Sequence, residues 1–414
     1  MNTQDQTDAH SSTTSAVALG VTGSIGAYKA ADLTSRLTQS GVDVHVVMTE
    51  NATKLVQPQT FLTLSRNPVT TDLWHIPEWN PEHIALAERT DMLMVAPATA
   101  NFLGKLAAGI ADDALSTLAL SHEGPVMVAP AMNPAMWAHP AVQENVETLQ
   151  RRGVQFVGPA EGITACGTKG IGRMEEPDHI LKAIRTQLAG LRLRQAQQKH
   201  PFQRIVVTAG PTREFLDPVR FLSNRSSGKM GYAVAAVAAA AGHEVTLISG
   251  PVSLPPPAGV ECRDVQSASE MRSALKEELG QADILVMTAA VSDYTPTHTS
   301  DTKVHRENKH QLNIEFEPTP DILAEAAASK RDNQFIVGFA AETEPTQQRA
   351  REKLQQKNAD MLVVNDVNQP DAGFEGDNNE GTVYLKDGST KHIQNCDKTR
   401  FAEQLLAMIS PQSL

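Results

Sequence analysis

TAGPTREFLDPVRFLSNRSSGKMG, residues Thr208–Gly231, follows the short apolar run Ile205–Val207. A strand that opens into Gly-Pro, then a polar loop, then Ser-Ser-Gly ahead of an Ala-rich helix has the layout of a phosphate-binding turn. Glycine permits close backbone approach, and the N–H groups at a helix N-terminus face an anion. The stretch has neither the G-x-G-x-x-G of a Rossmann fingerprint nor the GK[ST] of a P-loop. It carries Asp217, Arg220, Asn224, Arg225 and Lys229, more functional side chains than a phosphate cradle needs. From the residues alone, a polar surface loop is the other reading.

Outward from this stretch the chain keeps an α/β rhythm. Gly228–Ala241 reads as a small-residue helix, and Glu244–Ser249, Ile284–Thr288, Phe335–Phe339 and Met361–Val364 read as buried strands. Upstream, Ala16–Val21, Val42–Met48, Met92–Ala96 and Val126–Ala129 repeat the pattern, with a helix between the first two that stops at Gly41. Strand, helix, strand implies a parallel sheet. The halves echo each other, LGVTGS…HVVMTE…LMVAPA against IVVTAG…EVTLIS…LVMTAA. The expected fold class is α/β, with two doubly wound (Rossmann/flavodoxin-like) domains and mainly parallel sheets. The expected division is a disordered start at 1–15, a first domain at 16–190, a basic and polar linker at 191–203, and a second domain at 204–414.

Composition bounds the partners. A chain of 414 residues with 41% hydrophobic and 20% charged residues is a globular protein of two or three domains. A net charge of −12 argues against general nucleic-acid binding, so anionic substrates must be held by local Lys, Arg and helix N-termini. Cys166, Cys262 and Cys396 lie far apart, which reads as reduced cytosolic thiols and not as a disulfide framework or zinc site. No signal-peptide pattern or membrane-length apolar run is visible, so the expected location is the cytoplasm, with no membrane partner.

Three upstream strands end in TGSIGAYK (Thr22–Lys29), PATAN (Pro97–Asn101) and PAMN (Pro130–Asn133), where open α/β sheets place ligands. Together with ACGTKGIGRM (Ala165–Met174) they resemble the flavin-containing cysteine decarboxylase family. The resemblance implies FMN, with Gly23, Ser24, Ile25 and Thr49 at its phosphate and Thr99 and Ser116 as further contacts. It implies an essential histidine in a His-hydrophobic-x-Leu context, which His83 in EHIAL fits better than His75 in WHIPEW. Asn133 would bind the substrate carboxylate. ACGTKGIGRM would be a mobile flap whose Cys166 returns a proton to the decarboxylated intermediate, while its closure excludes water.

Thr208–Gly231 itself resembles the signature of phosphopantothenate–cysteine ligases, in which Asn224 would stabilise the acyl-nucleotide. MTAAVSDY (Met287–Tyr294) resembles that family's next segment. Met287, Thr288 and Ala289 would meet the nucleotide base, and Asp293 the ribose. Lys303 would neutralise the triphosphate, although the chain reads KVHR (Lys303–Arg306) where the family has K-x-K-K. TPDIL (Thr319–Leu323) and GFAAET (Gly338–Thr343) would bring Pro320, Asp321, Ile322, Leu323 and Phe339 to the nucleotide. Lys353 and Lys357, on one helix face at i, i+4 spacing, would reach its phosphates.

From about Ala16 to about Leu406 the chain is thus similar to the bifunctional decarboxylase/ligases of coenzyme A synthesis. The resemblance implies CTP as co-substrate, Mg2+ with no metal ligands assigned, and 4'-phosphopantothenate and cysteine as substrates. It further implies a homo-oligomer of flavin-domain trimers and ligase-domain dimers, possibly a dodecamer. The alternative is a regulatory flavoprotein of the same decarboxylase fold without catalysis. An NAD-linked oxidoreductase would need the missing G-x-G-x-x-G.

Overall fold

The structure is a computed structural model, and it describes residues 14–74, 82–197, 203–305, 312–342, 346–366 and 376–409. Residues 1–13 of the expected disordered start lie outside the described residues. The chain forms two compact units, Met1–Leu188 and Ala189–Leu414.

In the first unit, β1 (Ala16–Val21), β2 (Asp43–Met48), β3 (Val69–Thr70), β4 (Met92–Ala98), β5 (Val126–Pro130) and β6 (Gln155–Phe156) form one parallel sheet. Its order is β3-β2-β1-β4-β5-β6. Strand order reverses between β1 and β4, which opens a crevice at their carboxyl ends. Every residue of β1 and β4 is buried. Helices that cover both faces of a parallel sheet demand such uninterrupted apolar runs. On one face Ala18, Leu93, Val95 and Val128 pack with Leu103 and Leu115 from helices Ala100–Ala108 and Ala114–Ser121. After β6 come β7 (Ala160–Ile163) and β8 (Lys169–Arg173), an antiparallel hairpin.

The second unit repeats the order with later additions. Its strands are β9 (Arg204–Ala209), β10 (Arg213–Phe215), β11 (Phe221–Ser223), β12 (Glu244–Ser249), β13 (Val260–Asp264), β14 (Ile284–Met287), β15 (Tyr294–Pro296), β16 (Phe316–Pro318), β17 (Phe335–Glu342), β18 (Met361–Asp366), β19 (Asn378–Leu385) and β20 (Thr390–Asp397). The main sheet runs β13-β12-β9-β14-β17-β18-β19-β20. It is parallel through β18, and β19 and β20 pair antiparallel at the end. The reversal now falls between β9 and β14. Two small antiparallel pairs, β10–β11 and β15–β16, stand apart from this sheet.

Alternation along each strand divides the core into two layers. Ile205, Val207, Val286 and Val337 face helices Lys229–Ala240 and Lys398–Met408. Val206, Leu285 and Ile336 face helices Ala268–Leu279 and Ile322–Ala328. Phe401 is fully buried in the first layer, and truncating such a ring to alanine costs about 3–5 kcal/mol.

The stretch 191–203, expected as a linker, begins as structured helix. Helix Pro177–Ala196 extends into it, Leu193 is buried in the second unit's core, and Arg192 pairs with Glu403 (Nε–Oε1 2.6 Å). The basic and polar composition of this stretch came from the helix's outer face. Among the described residues no helix is long and apolar enough to cross a membrane.

Candidate active sites

In the first unit three loops meet at the strand-order reversal. The buried Thr22 hydroxyl donates to Pro97 O (2.8 Å) and accepts from Thr99 N (3.1 Å), tying the loop after β1 to the loop after β4. Gly26 caps helix Ala27–Gln39 with no side chain of its own, while Ser24 accepts from Gly26 N through Oγ (3.4 Å) and from Ala27 N through its carbonyl (2.9 Å). A Cβ on Gly23 would stand 2.5 Å from Asn51 Cβ, so only glycine lets this turn lie against helix Glu50–Thr53. Gly23, Ser24 and Ile25 form a tight turn ahead of this helix, with Ser24 N donating to Thr22 O (2.8 Å) and Ile25 63% exposed.

Thr49 and Thr99 each cap the next helix, accepting from Ala52 N (3.3 Å) and Phe102 N (3.4 Å). Both contacts are long and use the hydroxyl only as acceptor, which leaves its proton for a ligand oxygen. Ser116 differs. It is buried, and its hydroxyl accepts from Asp113 N (3.1 Å) in a capping box that starts helix Ala114–Ser121. That commitment makes Ser116 a support for the start of the helix.

The ACGTKGIGRM stretch is organised as the β7–β8 hairpin. Its turn closes through Gly167 N to Thr164 O (2.9 Å), with Gly167 at φ +81°. β8 lies directly on the PAMN loop. Met132 N donates to Gly172 O (2.9 Å), and a Cβ on Gly172 would meet Met132 O at 2.5 Å. This approach brings Cys166 to Asn133, whose Nδ2 donates to Sγ at 3.1 Å. The Asn133 Oδ1 accepts from Ala135 N (2.9 Å), which fixes the amide's orientation. Thr164 Oγ1 lies 3.1 Å and Thr168 Oγ1 3.8 Å from the same sulfur. Hydrogen bonds from Thr164, then Asn133 and Thr168, bring the exposed thiol down to about 7.

His83 falls in helix Glu82–Arg89, but its side chain lies outside the described residues, as does all of His75. Sequence reasoning gave Lys29 no role. It is buried, and its ammonium bonds Met174 O (3.2 Å) and Glu176 (3.0 Å), tying the first helix to the chain beyond β8. Its place in TGSIGAYK was visible, but its partner lies far along the chain.

The second unit holds a cleft of about 710 Å³ lined by the carboxyl-terminal parts of β14, β17 and β18 and by the loops and helix start that follow β9. Asn224, Met287, Thr288, Ala289 and Asp293 line one part of it. Pro320, Asp321, Ile322, Leu323, Phe339, Lys353 and Lys357 line another. The Asn224 amide donates to Val291 O (2.9 Å), which pins the signature loop to the AAVSDY loop. Gly228, at φ +72°, starts helix Lys229–Ala240 at the cleft without a side-chain cap. A Cβ on Gly231 would reach Thr288 Oγ1 at 2.5 Å and Ala209 Cβ at 2.6 Å, so this helix must meet the sheet through glycine.

Carboxylates hold three of the lysines that line the cleft. Lys353 Nζ lies 3.1 Å from Glu342, Lys357 pairs with Asp321, and Lys229 lies 2.6 Å from Asp377. Burial alone would raise the Asp321 carboxyl, but Lys357 and the Ala324 amide hold it below the usual range. Asn365, Asn379 and Lys398 also line the cleft. Asn365 stood at the end of a strand visible in VNDV. Asn379 and Lys398 come from β19 and the last helix, where the sequence offered no motif.

Lys303 is not among the residues lining the cleft. It sits next to Val304, whose N–H donates to Asp217 (3.1 Å) and whose carbonyl accepts from Arg220 (2.7 Å). Residues 306–311, which include Arg306 of KVHR, lie outside the described residues. Asp217 and Arg220 are thus paired within the signature loop and do not face the cleft.

Residues 5–189 match the family described as Flavoprotein. Residues 201–412 match the DNA/pantothenate metabolism flavoprotein C-terminal domain. The coenzyme A biosynthesis bifunctional protein CoaBC of Bacillus subtilis is 45% identical over 401 residues, 96% of this chain and 97% of the relative. This chain belongs to the bifunctional coenzyme A biosynthesis family. Its first unit is the flavoprotein half. A crystal structure of the C-terminal domain of a CoaBC protein is 42% identical, covers 50% of this chain and 93% of its own, and has a TM-score of 0.43. The FMN-dependent cysteine decarboxylase SpaF is 36% identical, covers 41% of this chain and 94% of its own, and has a TM-score of 0.37. The Gly23–Gly26 turn fits the phosphate of a flavin mononucleotide in being a tight, glycine-bearing turn at a helix N-terminus, with no room for a larger residue at Gly23.

Proposed function

We propose that the second unit joins cysteine to 4'-phosphopantothenate at the expense of CTP, through an acyl-cytidylate. The first unit then decarboxylates the product, phosphopantothenoylcysteine, to 4'-phosphopantetheine. The observation that carries this reading is the 3.1 Å contact between Asn133 and Cys166, an amide and an acidified thiol on a flavoprotein's ligand face.

In the first unit Gly23, Ser24, Ile25, Thr49 and Thr99 would hold FMN. Bound FMN would supply the two-electron redox chemistry that eases loss of CO2 beside the cysteinyl thiol. Asn133 binds and orients the substrate carboxylate. The β7–β8 hairpin excludes water, and Cys166 gives its proton to the decarboxylated product, keeping the bonding pair on sulfur. His83 is retained as the essential histidine on resemblance.

In the second unit Met287, Thr288 and Ala289 meet the base, Asp293 the ribose, and Asn224 the acyl-nucleotide. Lys353 and Lys357 exchange Glu342 and Asp321 for phosphate oxygens, a favourable trade when the incoming anion carries more charge. Mg2+ is held mainly by the phosphates themselves. Lys303 joins them only if its loop moves toward the cleft. A homo-oligomer of flavin-unit trimers and ligase-unit dimers completes the reading.

The test is pyrophosphate release from phosphopantothenate, cysteine and Mg2+ with either CTP or ATP. CTP is expected to support release, and Lys357→Ala to raise its KM about 10-fold or more. Equal release with ATP would remove the cytidine assignment, and no release with either would remove the ligase reading.

A further inference from the structure

Two hydroxyls beside the Cys166 thiol can change the direction of their hydrogen bonds, and Thr164 Oγ1 (3.1 Å) is nearer than Thr168 Oγ1 (3.8 Å). Asn133 Nδ2 can only donate, and its orientation is fixed by the Ala135 amide. It therefore donates to the sulfur whether or not the thiol carries a proton. Thr164 Oγ1 is different. It lies 3.1 Å from Sγ and 3.0 Å from Thr168 O, and it has one proton to place between them. Thr168 O also accepts the Thr164 backbone N–H at 2.9 Å, so that carbonyl keeps a partner if the hydroxyl turns away.

We propose that Thr164 is the positioning residue for the Cys166 proton, its hydroxyl accepting from S–H in the thiol and turning to donate to sulfur in the thiolate. In the protonated state Thr164 O–H points to Thr168 O while the S–H points to Thr164. Thr168 Oγ1, at 3.8 Å, can take either role but is the more distant partner. When the proton passes to the substrate, the S–H bonding pair stays on sulfur, and the thiolate gains Thr164 as a close donor beside Asn133 and the more distant Thr168. Recharging reverses the turn as the thiolate takes up a proton. The inference rests on the reading of Cys166 as the proton donor in decarboxylation. The low thiol pKa, for which Thr164 is the first cause, agrees with the geometry.

The test uses the full-length flavin-loaded protein. Alkylation of Cys166 by iodoacetamide is followed against pH by peptide mass spectrometry in wild type, Thr164→Val and Thr164→Ser. Decarboxylation of supplied phosphopantothenoylcysteine is measured in parallel, with Cys166→Ser as a fourth protein. The expected midpoint is about 7 in wild type. It is expected to rise by about one pH unit in Thr164→Val and to return in Thr164→Ser. The kcat for decarboxylation is expected to fall roughly 10-fold in Thr164→Val with little change in KM. A Thr164→Val midpoint equal to wild type overturns the proposal, since lost hairpin packing alone would not reproduce a serine-rescued titration. Full turnover by Cys166→Ser would instead remove the proton-donor reading and the catalytic role of Thr164 with it. The titration shift would then still be measurable, so the two failures differ.

Discussion

Asp217 shows how one polar loop divides into support and site. It is buried and accepts from the amides of Val219, Arg220 and Val304 and from the Arg220 guanidinium. The Arg220 bond, with those amides, holds its carboxyl well below the usual carboxylate range despite burial. A depressed native pKa stabilises the fold above the unfolded value, near 4, and that stabilisation disappears as pH falls through the native one. Asp217→Asn should therefore unfold at lower temperature than wild type at pH 7, with the gap narrowing below about pH 4 in a calorimetric series. The five polar candidates of Thr208–Gly231 looked alike in sequence. What separates Asp217 and Arg220 from Asn224 is Val304, a partner far along the chain that no local spacing announces. Cysteine reactivity divides in the same way. Cys166 is acidified by its neighbours, whereas burial pushes Cys262 and Cys396 up. Iodoacetamide at pH 7 should label Cys166 at least about 10-fold faster than either, as read by peptide mass spectrometry.

Elements were legible where both faces of a strand are buried. Ala16–Val21, Glu244–Ser249 and Met361–Val364 stand out because their apolar runs leave no polar face. β13, β19 and β20 were not anticipated, since they mix exposed charge with single buried residues such as Ile393. The β7–β8 hairpin was hidden by its glycines, which read as a loop. Their physical role is contact, because Gly172 must pass Met132 O. Gly172→Ala should lift the hairpin from the PAMN loop, part Cys166 from Asn133, and lower decarboxylation by about 10-fold or more. Pyrophosphate release should remain at the wild-type level. Gly231→Ala should do the reverse, since its Cβ would push helix Lys229–Ala240 off β9 and β14.

At the scale of the whole molecule, one strand order is used twice, and each unit brings loops that carry candidate residues to the reversal of that order. The internal echo of LGVTGS and IVVTAG made the repeat legible before any coordinate. The linker was less so, because a helix with one buried stripe and one basic face has the composition of a solvated connector. Two sites on two units predict two separable activities on one chain, with the ligase product feeding the decarboxylase.

Product analysis of Cys166→Ser and Asn224→Ala, each supplied with phosphopantothenate, cysteine, CTP and Mg2+, tests that claim most directly. Cys166→Ser should release pyrophosphate and accumulate phosphopantothenoylcysteine without phosphopantetheine. Asn224→Ala should release little pyrophosphate, yet form phosphopantetheine at the wild-type rate from supplied phosphopantothenoylcysteine. Loss of both steps in either variant would contradict two independent sites.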